Sequence, residues 1–318
     1  LKIVILDGHA VNPGDLSWDF LKAYGEVTVY DFTAQEQVID RIRDAEIILI
    51  NKIIVDTAVL DACPKLKLVC VLATGYNVVD CQACKDRGVV VTNVPAYSTV
   101  SVTQFTFALL LELCNRVGLH DQLVHQGRWE TSPGFCFWET PQMELAGKTM
   151  GIIGFGSIGR SVGVVARALG MRVLAYNRSR CAEGEAIGQY VDLDTLLSQS
   201  DVVSLHCPLT PETAEIINKD TLAKMKDGAI LLNTARGGVV NEADVRSALE
   251  SGKLRGFAAD VVSREPILPD NPLLHAPNCI LTPHMAWAPL EARKRILASV
   301  TQSIEGFLSG NFVNRVNM

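Results

Sequence analysis

The sequence predicts an α/β protein made of two parallel-sheet domains, on three observations. Short apolar runs alternate with more polar segments of helical spacing through the first 95 or so residues. A second series of the same kind begins at Lys148. Its first strand runs directly into a glycine loop that opens a helix. Repeated strand–helix alternation implies parallel strands, because each crossover needs a connection long enough to hold a helix.

In chain order, "KIVILDG", "EVTVYDF", "EIILINK", "LKLVCVLATG" and "VVVTNVP" read as the first five strands. "SVTQFTFALLLELCNRV", residues 101–117, is apolar nearly all round and predicts a buried helix. Residues 118–146 differ. "GRWETSPGFCFWETPQ" mixes aromatics with Gly and Pro without a period, and reads as an interface segment, the other reading being a loop packed on its own domain. His120 and His125 lie in the polar, helical part of that stretch and are expected at the surface. The second series contributes "KTMGIIG", "MRVLAY", "DVVSLHC", "GAILLNTA", "GFAADVV" and "CILTP", and a last helix spans about 291–308.

Composition narrows the function classes. At 48% hydrophobic and 20% charged, 318 residues can bury two cores. The net charge of −6 and the lack of a long basic run argue against a nucleic-acid partner. No apolar run reaches the roughly 18 residues of a membrane helix. Asp7 interrupts the apolar N-terminus, which reads as a strand and not as a signal segment. Nine cysteines without framework spacing suit a reducing, cytoplasmic setting. Cys81 and Cys84 form a single Cys-x-x-Cys, which supplies at most two ligands, so they read as small helix residues and no metal is expected.

Gly154-x-Gly156-x-x-Gly159 follows a strand and opens an apolar-striped helix. In that context the glycines let the backbone turn tightly and approach a pyrophosphate, which the helix N-terminus attracts. This predicts a dinucleotide. The following strand ends in "YNRSR", where an acid would bind the ribose 2′-OH of NAD. Asn177 stands there instead, flanked by Arg178 and Arg180. Loss of the carboxylate removes repulsion of a 2′-phosphate and an Arg can pair with it, so NADP is favoured. The other reading keeps both arginines solvated and gives Asn177 the diol of NAD.

Arg236, Glu265 and His284 each lie just past the C-terminal end of a strand in this second series. Ligands of open α/β sheets bind along that edge. The three suit hydride transfer to a 2-keto acid. A histidine donates the proton, a carboxylate holds the imidazolium, and an arginine grips the substrate carboxylate with two parallel bonds. His206, also at a strand end, has no acid partner identifiable from sequence and reads as pocket lining or structure. A Ser-His-Asp hydrolase fits poorly, since no G-x-S-x-G elbow is present.

"GFGSIG", "HCPLTPET", "NTARGGVVNE", "AADVVSREP" and "TPHMAW", in that order, resemble the D-isomer-specific 2-hydroxyacid dehydrogenases over essentially the whole chain. "ATGYNVVD", "GRWETSPGFCFW" and "DNPLL" are most similar to its glycerate dehydrogenases, or hydroxypyruvate reductases. The resemblance implies two doubly wound domains. A Rossmann NAD(P)-binding domain (98–287) is inserted in a flavodoxin-like substrate domain (1–97 with 288–318), and the active site lies in the cleft. It makes Arg236 substrate-binding, His284 the acid/base and Glu265 its partner. It gives the backbone at Thr74, Gly75 and Tyr76 to the substrate carboxylate. It lines the cofactor with Thr103, Ser157, Ile158, Cys207, Thr213, Thr234, Ala235 and Asp260. It implies a homodimer through the cofactor domain, with the stretch near Trp138 reaching a partner. Asn177 departs from the Asp of NAD-using members. Asn241, where Asp is usual, is expected to be an equivalent helix cap. The expected reaction is hydroxypyruvate to D-glycerate, with glyoxylate to glycolate beside it. The competing readings are a D-lactate-type reductase and, from another class, an NAD(H)-sensing corepressor or scaffold. A phosphoglycerate dehydrogenase is disfavoured because the first domain shows no phosphate-binding cluster.

Overall fold

A computed structural model describes all 318 residues. They divide into two compact units, residues 1–98 with 288–318, and residues 99–287. No helix is long and apolar enough to cross a membrane.

The first unit holds β1 (Lys2–Ile5), β2 (Glu26–Val29), α1 (Val38–Ile42), β3 (Ile47–Ile50), α2 (Thr57–Ala62), β4 (Leu68–Val71), α3 (Cys81–Asp86) and β5 (Val90–Thr92). Its strands are all parallel, in the order β2-β1-β3-β4-β5, which is the flavodoxin-like arrangement. β3 and β4 are buried along their whole length, as strands covered by helices on both faces must be. Cys81 and Cys84 sit in α3, whose start is capped by Asp80 accepting the Ala83 amide at 2.8 Å.

The second unit holds α4 (Thr99–Asn115), α5 (Val117–His125), β6 (Thr149–Ile153), α6 (Ser157–Ala168), β7 (Arg172–Tyr176), α7 (Ala182–Glu185), β8 (Gln189–Tyr190), α8 (Leu193–Gln199), β9 (Val202–Leu205), α9 (Lys219–Lys224), β10 (Ala229–Asn233), α10 (Glu242–Glu250), β11 (Leu254–Ala259) and β12 (Cys279–Leu281). Seven parallel strands run β12-β11-β10-β9-β6-β7-β8, with the reversal of direction beside β6 that defines the dinucleotide-binding topology. β10 shows how the apolar run works. Ile230 and Leu232 join the core under α4 and α6, while Leu231 joins the opposite core with Val245 and Leu249 of α10.

Two expectations are corrected here. The helix read as residues 101–117 ends at Asn115, because Arg116 is left-handed (φ 49°) and starts α5. That helix is also not buried all round: Val100, Gln104, Ala108 and Leu111 form an exposed stripe at helical spacing. The edge strand β8, two residues long, carries no periodic signal and was not anticipated.

The last helix, α11 (Leu290–Ser309), returns to the first unit. Buried Arg293 fastens it by paired bonds of 2.6 Å to Asp15 and by a bond to the Val11 carbonyl. Beyond it the chain lies antiparallel along β5, and the buried Asn317 side chain bonds both Val91 N–H and Val89 C=O.

Candidate active site

β6 ends in the glycine loop. Gly154 has φ +91°, and a Cβ there would lie 2.4 Å from the Cys207 nitrogen. A Cβ at Gly159 would lie 2.2 Å from the Gly154 carbonyl. Both positions therefore need glycine for backbone packing. Gly156 is different: a Cβ there would enter open space, leaving room for a ligand to approach the main chain. It precedes Ser157, Ile158 and Gly159 in the first turn of α6, which has no side-chain cap. Uncapped amides at a helix N-terminus suit a pyrophosphate.

Asn177 closes this loop from β7. Its Oδ1 accepts the Phe155 amide at 3.1 Å, and its Nδ2 donates to the Ser179 carbonyl at 2.8 Å. Arg178 and Arg180 beside it are exposed, and Arg180 lies over the Tyr190 ring at 5.7 Å. The loop after β9 supplies Cys207, which is buried, and Thr213, whose hydroxyl bonds the Pro208 carbonyl and the Thr210 amide. Thr103 is buried in α4, and the nearby Thr106 hydroxyl meets that of Thr234 at 3.2 Å.

His206, read as pocket lining or structure, has no ring nitrogen open to solvent chemistry. Its Nε2 bonds the Ser204 hydroxyl at 2.8 Å, while its Nδ1 is sealed from solvent without a partner. Burial pushes its pKa down to about 3, so the ring stays neutral.

Past β10, the buried side chain of Asn233 accepts the Ala235 amide and donates to the Arg236 carbonyl. This tight turn throws Arg236 outward. Its guanidinium is exposed, Nη1 bonds only the adjacent Ala235 carbonyl at 2.7 Å, and no acidic side chain pairs with it.

Past β12, His284 has φ +54°, a conformation uncommon outside glycine that a non-glycine residue keeps only when its surroundings enforce it. Asp260 enforces it. Its buried carboxylate accepts the Thr282 hydroxyl (2.6 Å), the Met285 amide (2.9 Å) and the Ala286 amide (2.8 Å), and its carbonyl accepts the His284 amide (2.8 Å). The His284 Nδ1 meets Glu265 Oε2 at 2.7 Å. The structure thus brings Glu265 and His284 together as an acid–imidazole pair.

In the first unit, Thr74, Gly75 and Tyr76 follow β4. Their amides meet no acceptor in the protein, while Thr74 is fixed by its hydroxyl to Val94 and by its carbonyl to Asn93. In the same unit, Asp7 accepts the amides of Asn51 and Lys52. Burial pushes its carboxyl above the usual range, against those bonds.

Sequence reasoning missed the anchors Asn233 and Glu242 and the way Asp260 is used. A polar residue closing an apolar strand was the one visible signal, at Asn233. His120 also does more than face solvent: its Nδ1 meets the Arg116 carbonyl and its Nε2 accepts the Glu139 amide, tying α5 to the aromatic segment.

The family described as D-isomer specific 2-hydroxyacid dehydrogenase, NAD binding domain, matches residues 107–286. A hydroxypyruvate reductase of Blautia hydrogenotrophica is 54% identical over the full length of both chains. A glycerate dehydrogenase of Methylorubrum extorquens is 39% identical, covering 99% of this chain and 98% of its own. Among solved structures, an acyclic imino acid reductase in complex with NADPH and D-Arg superimposes with a TM-score of 0.86 at 30% identity, covering 99% of this chain and 100% of its own.

Proposed function

The chain belongs to the D-isomer-specific 2-hydroxyacid dehydrogenases, and from that premise we propose that it reduces hydroxypyruvate to D-glycerate, with glyoxylate as a second substrate. The observation that carries the reading is the 2.7 Å contact between His284 and Glu265 at the strand-end edge of the domain that bears the glycine loop. The full-length likeness to a hydroxypyruvate reductase and to a glycerate dehydrogenase supports the choice of substrate.

The glycine loop fits a nicotinamide dinucleotide by its open Gly156 and the uncapped first turn of α6. When bound, that group supplies the hydride. The protein's part is positioning and proton delivery. The Glu265 carboxylate accepts from His284 Nδ1 and fixes the ring, leaving Nε2 to give its proton to the substrate carbonyl oxygen. Arg236, with no internal counter-ion, takes the substrate carboxylate, and the unused amides of Thr74, Gly75 and Tyr76 in the first unit are free to donate to an anionic group. Arg178 and Arg180 favour NADP, since Asn177 already serves the glycine loop and offers no carboxylate to repel a 2′-phosphate. The exposed stripe on α4, with Trp129, Phe135 and Trp138 beyond α5, supports a homodimer through this domain. Nine free cysteines suit a reducing cytoplasm.

The test is a set of initial rates with hydroxypyruvate, glyoxylate and pyruvate, each with NADPH and NADH. Hydroxypyruvate with NADPH should be fastest, and His284→Ala should lower its kcat by about 10²-fold or more. Preference for pyruvate would make it a D-lactate-type enzyme, and binding without turnover would favour the scaffold. Asn177→Asp should reduce the NADPH/NADH ratio; an unchanged ratio removes the NADP assignment.

A further inference from the structure

We propose that Glu242 is a positioning residue for the Glu265–His284 pair, an inference that rests on the reading above. Glu242 opens α10, six residues beyond Arg236. Its Oε1 accepts the Ser263 amide at 2.7 Å, and its Oε2 accepts the Ser263 hydroxyl at 2.7 Å and the Asn271 side-chain amide at 2.9 Å. Ser263 and Asn271 bracket one loop. Every residue from Ser263 to Asp270 is exposed, and Glu265 lies among them. A loop without fully buried side chains has little packing to fix its path. One carboxylate clasps both of its ends. The clasp is braced: Asn271 is buried and caps the next turn through Leu273.

A second contact joins the same two segments. A Cβ at Gly237 would lie 1.8 Å from the Val262 carbonyl carbon and 2.3 Å from the Ser263 nitrogen. The residue after Arg236 therefore lies flat against the start of the Glu265 loop. Gly237 sets how closely the two segments approach, and Glu242 sets where the loop's ends are held. Removing the clasp leaves the bare-backbone contact, so the loop stays near but loses the register that brings Glu265 to 2.7 Å from His284.

The experiment is Glu242→Gln, alone and in a Glu265→Gln background. The carboxamide keeps the shape but has a single acceptor oxygen, so it cannot accept all three bonds and the clasp is weakened. Alone, it should lower kcat for hydroxypyruvate about tenfold, with a much smaller change in KM. The pH at half-maximal reduction should move down, in the direction of Glu265→Gln. In the Glu265→Gln background it should add less than about twofold, because both substitutions act on one pair. An unmoved pH profile, or a full additional loss in that background, overturns the proposal. If Glu242→Gln does not fold, Ser263→Ala at an exposed site should give a smaller shift of the same sign, and no shift is equally fatal. The ring-nitrogen NMR shifts of His284, identified by their absence in His284→Ala, decide the matter without turnover. They should change in Glu242→Gln as they do in Glu265→Gln, and unchanged shifts sink the positioning role. A protein that reduces no 2-keto acid would instead defeat the reading of function, while the NMR result still judges Glu242.

Discussion

His206 is half-buried with its Nδ1 sealed from solvent, so the fold resists ionisation of the ring, and acid should reveal that cost. Burial holds it near 3 against 6.5 for an unperturbed ring. Between those values the unfolded chain binds a proton that the folded one refuses. Stability from this residue is therefore complete above pH 6.5 and lost as pH falls toward 3, at about 1.4 kcal/mol per pH unit. Urea midpoints of the wild type should drop more steeply between pH 6.5 and 4 than those of His206→Gln; parallel curves would count against it. The candidate site was unevenly legible at this scale. Arg236, Glu265 and His284 stood out because ionisable residues just past apolar runs are unusual. Their anchors did not, because Asp260 and Asn233 bond mainly backbone amides and carbonyls, and the backbone groups within reach depend on the folded turn.

Asn241 caps α10, its Oδ1 accepting the Asp244 amide at 3.1 Å. Asn241→Ala should cost about 1 kcal/mol and Asn241→Asp almost nothing, read from thermal unfolding of the three proteins. A loss with Asp equal to that with Ala would show that the cap is not what matters there. The elements themselves were largely legible, since eleven of the apolar runs became parallel strands. They span only three to six residues, shorter than the runs read from sequence. The break at Arg116 was not legible. A left-handed residue in an otherwise helical sequence is set by surroundings, here the Arg116 side chain bonded to Asn278, 162 residues away.

For the whole molecule, the doubly wound class could be read from alternation, but the nesting of one unit within the other could not. No linker composition marks the seams, and only the ordered motifs of the resemblance implied an insertion. Residues 99–287 hold two full hydrophobic cores on either face of a seven-stranded sheet. Produced alone, this unit should fold cooperatively and bind a reduced nicotinamide dinucleotide without reducing hydroxypyruvate. Circular dichroism and cofactor fluorescence check this; an unfolded product would show that the unit depends on the rest of the chain.

The split first unit imposes an order on biosynthesis. Its sheet emerges from the ribosome early, yet α11 and the strand-like tail along β5 follow 189 intervening residues. At bacterial or eukaryotic elongation rates that gap lasts roughly 10–40 s. Throughout it the N-terminal sheet lacks both its Arg293 fastening and its edge cover. The nascent chain must therefore pass through a stage in which the later-encoded unit is finished before the earlier one, and co-translational chaperones would meet it there.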